Sequence, residues 1–284
     1  MIGKGVAYGA ASILNAMPSG FGAALGVDLR TFAEVEVTED TAIEVDINSG
    51  ASEGTALAEE SYKAVLRRFG LRKGGRIRTR SEIPIARGMK SSSAASNAIV
   101  LAALDALGRR LGDLEVINLG VEASLEARAS VTGAFDDSCA SFFGSLHVTD
   151  NYRREILRSF QVERLCVLFL VPEERRYSGE VDMKRIRAPK LTAVPFREAM
   201  EGRYWQAMLL NGLLMAKVFG TDPSPILTAL QNGAISAGLC GKGPAFCAVS
   251  RRDDEGAIID GWGAEGYPII RSQVNNKQAA AGGS

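Results

Sequence analysis

Histidine and cysteine are scarce in this chain, with one His and four Cys in 284 residues. The lone histidine, His147, sits inside an apolar alternating run, which is the setting of a core side chain. Nothing is then left to build a Ser–His–Asp triad, and a multi-histidine metal site is excluded. Cys139, Cys166, Cys240 and Cys247 lack the short paired spacings of a zinc site, and most sit among apolar or small neighbours. They read as buried thiols of a reducing compartment. Excess charge is missing as well, because 33 Lys and Arg balance 33 Asp and Glu. A neutral sum argues against nucleic acid or a membrane as the main partner. No segment supplies the ~20 apolar residues that span a bilayer, and the N-terminus has no signal-type run. The expectation is a cytoplasmic protein. The common P-loop, G-x-x-x-x-G-K-[ST], is absent too, and there is no internal repeat.

What is present is a hydrophobic content of 46% with 23% charged residues, enough to fill a core. The length allows one large α/β body or two lobes sharing a cleft. Residues 5–27 are rich in Gly and Ala. Alternating runs at 31–37 and 41–47 predict adjacent strands, followed by a helix over 56–69 and a strand over 76–83. Helices are expected at 91–107 and 115–129, and a strand over 142–148 closes a first lobe, residues 1–150. A second lobe, 151–284, opens with the apolar strand 164–171. It continues through a polar loop at 173–192, helices near 195–218 and 224–232, a strand at 245–250 and a frayed tail at 279–284.

The most informative stretch runs from Pro84 to Ala95, where a small-residue turn with two cations and three serines enters an apolar helical pattern. Such a turn aims unpaired backbone N–H groups, at the positive end of a helix dipole, toward an anion such as phosphate. Between Arg67 and Lys90 lie nine basic residues against one acid, Glu82. Those before Glu82 read as a solvated face, whereas Arg87 and Lys90 fall inside the anion-binding turn. Phosphoryl transfer also needs a metal held by hard oxygen ligands and a carboxylate near the acceptor hydroxyl. Ser92 and Glu126 could hold Mg²⁺. Asp136 and Asp137 lie in a Gly-containing turn, where adjacent extended side chains point opposite ways, so one of the two should reach the substrate. A second glycine-rich turn, Ala237 to Pro244, could approach a ligand closely through Gly241 and Gly243.

These stations, in this order, resemble the GHMP kinase superfamily. Its central motif P-x-x-x-G-L-x-S-S-A is matched by Pro84, Gly88, Ser91 and Ser92, with Met89 in place of Leu and Ser93 where Ala is usual. The run ending in Gly26-Val27-Asp28-Leu29-Arg30 resembles its N-terminal motif, and Gly238 to Pro244 its C-terminal one. In the mevalonate kinase branch a glutamate eleven residues before the catalytic aspartate binds Mg²⁺, and here that spacing joins Glu126 to Asp137. The family pattern D-x-x-x-S-x-x-G selects Asp137 over Asp136. Within the superfamily, Lys90 to Ala94 together with Thr132 to Asp137 looks like the archaeal type of shikimate kinase.

The resemblance implies a two-lobed α/β fold whose first lobe is similar to the ribosomal S5 second domain. It implies ATP as co-substrate, wrapped by Ile85, Ala86, Arg87, Gly88, Met89, Lys90, Ser91, Ser92, Ser93 and Ala94, with Mg²⁺ on Ser92 and Glu126. Asp137 would be the catalytic residue, with Lys4 as the candidate for its assisting lysine. The expected reaction is phosphorylation of the 3-hydroxyl of shikimate by a monomer or homodimer. Another small alcohol, such as homoserine or mevalonate, is the alternative on the same scaffold. A non-catalytic nucleotide- or RNA-binding protein is the alternative of a different class.

Overall fold

The computed structural model describes residues 1–47, 55–85, 87–174, 186 and 188–282. Its strands are β1 (Ile2–Leu14), β2 (Phe21–Thr38), β3 (Ile43–Ile47), β4 (Gly74–Ser81), β5 (Leu146–Asp150), β6 (Glu155–Phe160), β7 (Cys166–Leu170), β8 (Ser236–Leu239), β9 (Phe246–Ser250), β10 (Ile269–Gln273) and β11 (Ala280–Ala281). The helices are α1 (Thr55–Arg68), α2 (Ser91–Ala106), α3 (Asp113–Glu126), α4 (Phe135–Phe143), α5 (Ala193–Met200), α6 (Tyr204–Val218), α7 (Ser224–Gln231) and α8 (Glu255–Gly263).

A seven-stranded sheet carries the order β11-β1-β2-β4-β3, with the β5–β6 hairpin also attached to β2. The Gly- and Ala-rich N-terminal run is a long strand because α2 lies directly on it. A Cβ at Gly3 would stand 2.1 Å from the Ala106 amide nitrogen, and one at Gly5 2.2 Å from the Ala98 carbonyl oxygen. Small residues on both surfaces allow that approach. The strands expected to be adjacent, β2 and β3, are separated by β4, which pairs antiparallel with β2 and parallel with β3. Parallel neighbours need a crossover, and α1 supplies it.

Along β2 and β4 the alternation is clean. Ala33, Val35 and Ile77 face a core shared with α1, α2 and α3, while Arg76, Arg78 and Arg80 are exposed. The second sheet, β10-β7-β9-β8, is covered on one face by α6, α7 and α8 around Leu168, Met215, Ile226 and Trp262. Its other residues join Ile13, Leu25 and Val148 of the first sheet in a common core.

Residue 150, the expected end of the first lobe, falls at the turn of the β5–β6 hairpin, and the first sheet takes in both of its strands as well as β11. Several expectations are corrected. The 279–284 tail is tied down as far as Gly282: β11 pairs with β1, and the Ala279 N–H donates to the Phe142 carbonyl. The 195–218 helix is two helices, α5 and α6, parted at Gly202, whose φ of 79° ends α5. The turn expected around Asp136 is the start of α4. Most of the 173–192 loop lies outside the described residues. Among those described, no helix is long and apolar enough to cross a membrane.

Candidate active site

The start of α2 is built by two positions with positive φ. Gly88 has φ 83°, and a Cβ there would lie 2.3 Å from the Cys240 carbonyl oxygen. Only glycine lets the 87–90 loop press against the second glycine turn. Lys90, the N-cap of α2, adopts φ 65° and ψ 28°, an uncommon conformation for a residue with a side chain. It provides no side-chain cap, so the first amides of α2 are left to an external acceptor. Ser91, Ser92 and Ser93 follow, all lining a cavity of about 120 Å³.

The second turn is fastened beside this loop by residues that the motifs did not reveal. Asn15, just past β1, donates from Nδ2 to the Gly241 carbonyl at 2.9 Å, and the Gly241 N–H donates to Ser12 Oγ at 2.9 Å. Asn211 of α6 accepts the Asn15 N–H at 3.0 Å. Gly241 is thereby set so close that a Cβ on it would stand 3.2 Å from Lys90 Nζ. Asn15, Gly241 and Lys242 all line the cavity. An isolated Asn or Ser carries no pattern in a sequence, so these residues became visible only through their partners.

The opposite wall is the first turn of α4, entered through Ala134 at φ 51°. Both Asp136 and Asp137 line the cavity. The expectation that only one would face it assumed extended backbone, and the helical turn removes that restriction. Asp137 Oδ2 meets Lys90 Nζ at 2.9 Å, with side chains only 9% and 14% exposed. Asp137 Oδ1 is buried without a hydrogen-bond partner. Asp136 is held differently: Asn151 Nδ2 donates to its Oδ1 at 2.7 Å, and its own N–H donates to Asn151 Oδ1 at 3.2 Å. Thr149 Oγ1 also donates to that Asn151 oxygen, at 2.7 Å.

Two carboxylates and one ammonium in a buried pocket cannot all hold ordinary proton affinities. Burial, reinforced by the Asp136 charge and opposed by Lys90, pushes the Asp137 carboxyl up to about 7. For Lys90, burial alone would lower the affinity, but the charges of Asp137 and Asp136 outweigh it and hold the ammonium above its usual range. The lysine stays charged while Asp137 is poised near neutrality.

The remaining expected residues divide. Ile85 lines an apolar cleft with Leu57, Ala95 and Ile99, on the other side of Ser91 and Ser92. Ala86 lies outside the described residues. Met89 and Ala94 are core side chains, and Arg87 donates to the carbonyls of Pro172 and Glu174 instead of facing the cavity. Gly243, with φ 77°, packs against Leu239 and shapes the turn.

Glu126 is not among the cavity residues, and its Oε2 meets Arg67 Nη2 of α1 at 2.6 Å. Lys4 is at the wrong end of the molecule. Its N–H donates to Asp105, fourteen residues along α2 from Ser91, which is about 21 Å at ~1.5 Å per residue. Its ammonium pairs with Glu34 at the surface, at 3.4 Å. The lysine beside Asp137 is Lys90, where the sequence had assigned only phosphate binding.

Comparison with known proteins identifies the family and the fold. The GHMP kinases N terminal domain matches residues 56–145. The shikimate kinase of Methanothrix thermoacetophila is 44% identical over 99% of this chain and 97% of its own length. That of Methanosarcina mazei is 41% identical over 98% and 96%. Among solved structures, the Methanococcus jannaschii mevalonate kinase superposes with a TM-score of 0.76 at 14% identity, covering 97% of this chain and 98% of that one. The homoserine kinase of Cytophaga hutchinsonii gives 0.72 at 15%, covering 98% and 97%. At those identities the structures establish the fold, and the near-full-length relatives establish the family. The chain belongs to the GHMP kinases, a superfamily of phosphotransferases, in the family of these archaeal shikimate kinases.

Proposed function

We propose that this chain transfers the γ-phosphoryl group of ATP to the 3-hydroxyl of shikimate. The observation that carries the reading is the buried Lys90–Asp137 pair facing the uncapped start of α2 across one cavity. The first amides of α2, with the helix dipole behind them, take the β- and γ-phosphates, and the Ser91 and Ser92 hydroxyls flank them. The apolar cleft beyond Ser91, bounded by Ile85 and Ile99, has the chemistry to hold a flat base.

Asp137 receives the acceptor hydroxyl. A carboxyl near 7 is half ionised at neutral pH, so it can orient the O–H and accept its proton as the bond to phosphorus forms. Lys90 keeps that carboxyl from rising further, and its ammonium offsets charge on the transferring group. Phosphoryl transfer is loose, so positioning and charge neutralisation supply most of the rate.

Mg²⁺ fits a reduced ligand set. Among the described residues no cluster of three or more acidic, histidine or cysteine side chains could cage a metal. Kinase Mg²⁺, however, needs only one or two protein groups beside phosphate oxygens and water. Ser92, which lines the cavity, would be one, and Glu126, whose Oε2 meets Arg67, would have to leave that pair to join. The ion would neutralise phosphate charge.

The test is shikimate-dependent ADP release, with Mg²⁺ present and chelated, alongside homoserine and mevalonate as competing acceptors. Turnover confined to shikimate and Mg²⁺ is expected. Turnover with homoserine or mevalonate alone would replace the acceptor, and none at all would end the kinase reading.

A further inference from the structure

Asp136 has no role in the transfer just described, yet the structure treats it as carefully as Asp137. It is 4% exposed, lines the same cavity and carries a charge strong enough to help raise its neighbour's pKa. A buried carboxylate is costly unless something stabilises it. Here Asn151 supplies two contacts, to the side chain and to the backbone N–H, and Thr149 fixes Asn151 in turn. The backbone of β2 also makes room, since a Cβ at Gly22 would lie 2.4 Å from Asp136 Oδ2. One oxygen, Oδ1, is occupied by Asn151, and none of these hydrogen bonds uses Oδ2.

From this juxtaposition we infer that Asp136 is a specificity residue that accepts a hydrogen bond from a second hydroxyl of the acceptor, the neighbour of the one phosphorylated. The inference rests on the proposed phosphotransfer and names the acceptor class as a vicinal diol. Asp136 and Asp137 are consecutive on one helical turn and both meet the cavity, so two neighbouring ring hydroxyls can be received by two neighbouring carboxylates. Asp137 carries the lysine and the high proton affinity suited to removing a proton. Asp136, fixed by an uncharged amide, is suited to holding one hydroxyl still. For shikimate the second hydroxyl is at position 4. An acceptor with a single hydroxyl would leave this buried carboxylate without its partner, and a site built around a substrate O–H rejects analogues that lack it.

The experiment crosses Asp136→Asn with 4-deoxyshikimate. For the wild type, removing the 4-hydroxyl should lower kcat/KM by ~10–150-fold, the worth of a hydrogen bond to a charged group. Asp136→Asn should cost a similar factor on shikimate but little more on the deoxy compound, with KM for ATP within about twofold of wild type. That non-additivity is what a merely structural role would not produce. If Asp136→Asn fails to fold, Asn151→Ser, which leaves the carboxylate in place but loosens it, should show the same pattern at smaller size. Equal penalties on both acceptors, or a parallel rise in KM for ATP, would overturn the role of Asp136 and leave the kinase reading intact. Wild-type enzyme that does not phosphorylate shikimate would overturn both.

Discussion

On the outer face of the first sheet, Arg76 of β4 reaches Glu44 of β3 at 3.1 Å and Glu36 of β2 at 3.4 Å. Inside the cavity, Lys90 and Asp137 meet at 2.9 Å. The distances are alike and the consequences are not. In water the cross-strand pairs are screened, and holding long side chains in register costs entropy, so such pairs add little. In the cavity both side chains are mostly buried, each charge must be answered by a neighbour, and proton affinities move far from their ordinary values. Geometry alone therefore does not mark a functional ion pair. Burial and an unequal count of charges do, as with two carboxylates sharing one ammonium.

The largest break in that comparison comes from Asp137→Asn. Turnover should fall ~10²–10⁴-fold, the usual worth of general-base assistance, while KM for ATP changes far less. Steady-state kinetics at saturating acceptor read this directly, and unchanged turnover would remove Asp137 from the mechanism. The same variant tests the electrostatics. A carboxyl whose affinity is raised on folding binds its proton more tightly in the native state. Its contribution to stability is complete below the ordinary carboxylate range and is lost as pH rises through about 7. The melting temperature of Asp137→Asn relative to wild type should therefore increase between pH 5 and pH 8.

Next in size is Lys90→Met, expected to lower kcat ~10²–10³-fold, the scale of losing one electrostatic stabiliser in a closed site. Wild-type kcat/KM should rise with pH through about 7. Removing the cation raises the Asp137 affinity, so that limb should move to higher pH in the variant. A limb that stays put would separate Asp137 from Lys90.

Smaller again is Gly88→Ala. The positive φ and the 2.3 Å approach to the Cys240 carbonyl predict a loss of about 1–3 kcal/mol, read by chemical denaturation, with a higher KM for ATP as the loop shifts. The smallest effect is expected from Arg76→Ala on the sheet face, where kcat and KM should be unchanged and the melting temperature at high salt should equal wild type. A marked loss of activity there would erase the contrast between the two regions.

Part of this site's layout is legible in the sequence. The serines after Lys90 and the second glycine turn stand out by type and order, because phosphate cradles rely on backbone amides and glycine, which leave a trace in composition. Asp137 is singled out from Asp136 only by the family pattern, and one cavity is lined by all of these. The pairs were not legible. Lys4 was assigned to Asp137 by analogy of position, yet its strand carries it to the far end of α2. Glu126 matched by spacing, but at the end of α3 its side chain meets Arg67. The strand rule lets only one of Asp136 and Asp137 reach the cavity and the family pattern selects Asp137, but the helical turn brings both to it.

The sequence by itself determined many of the elements, α1, α2, α3, β4 and β7 among them, through hydrophobic period and the placement of glycine and serine, and which loop offers amides to an anion. It also determined that the sheet-face arginines would be solvated, since alternation puts them opposite the core. Only the tertiary structure decided which lysine meets which aspartate and which asparagine holds the glycine turn. It also decided that two acids share one pocket. Those outcomes depend on contacts between segments tens to hundreds of residues apart, as with Asn15 and Gly241, and on burial, which sets the strength of a charge and has no local signature in the chain.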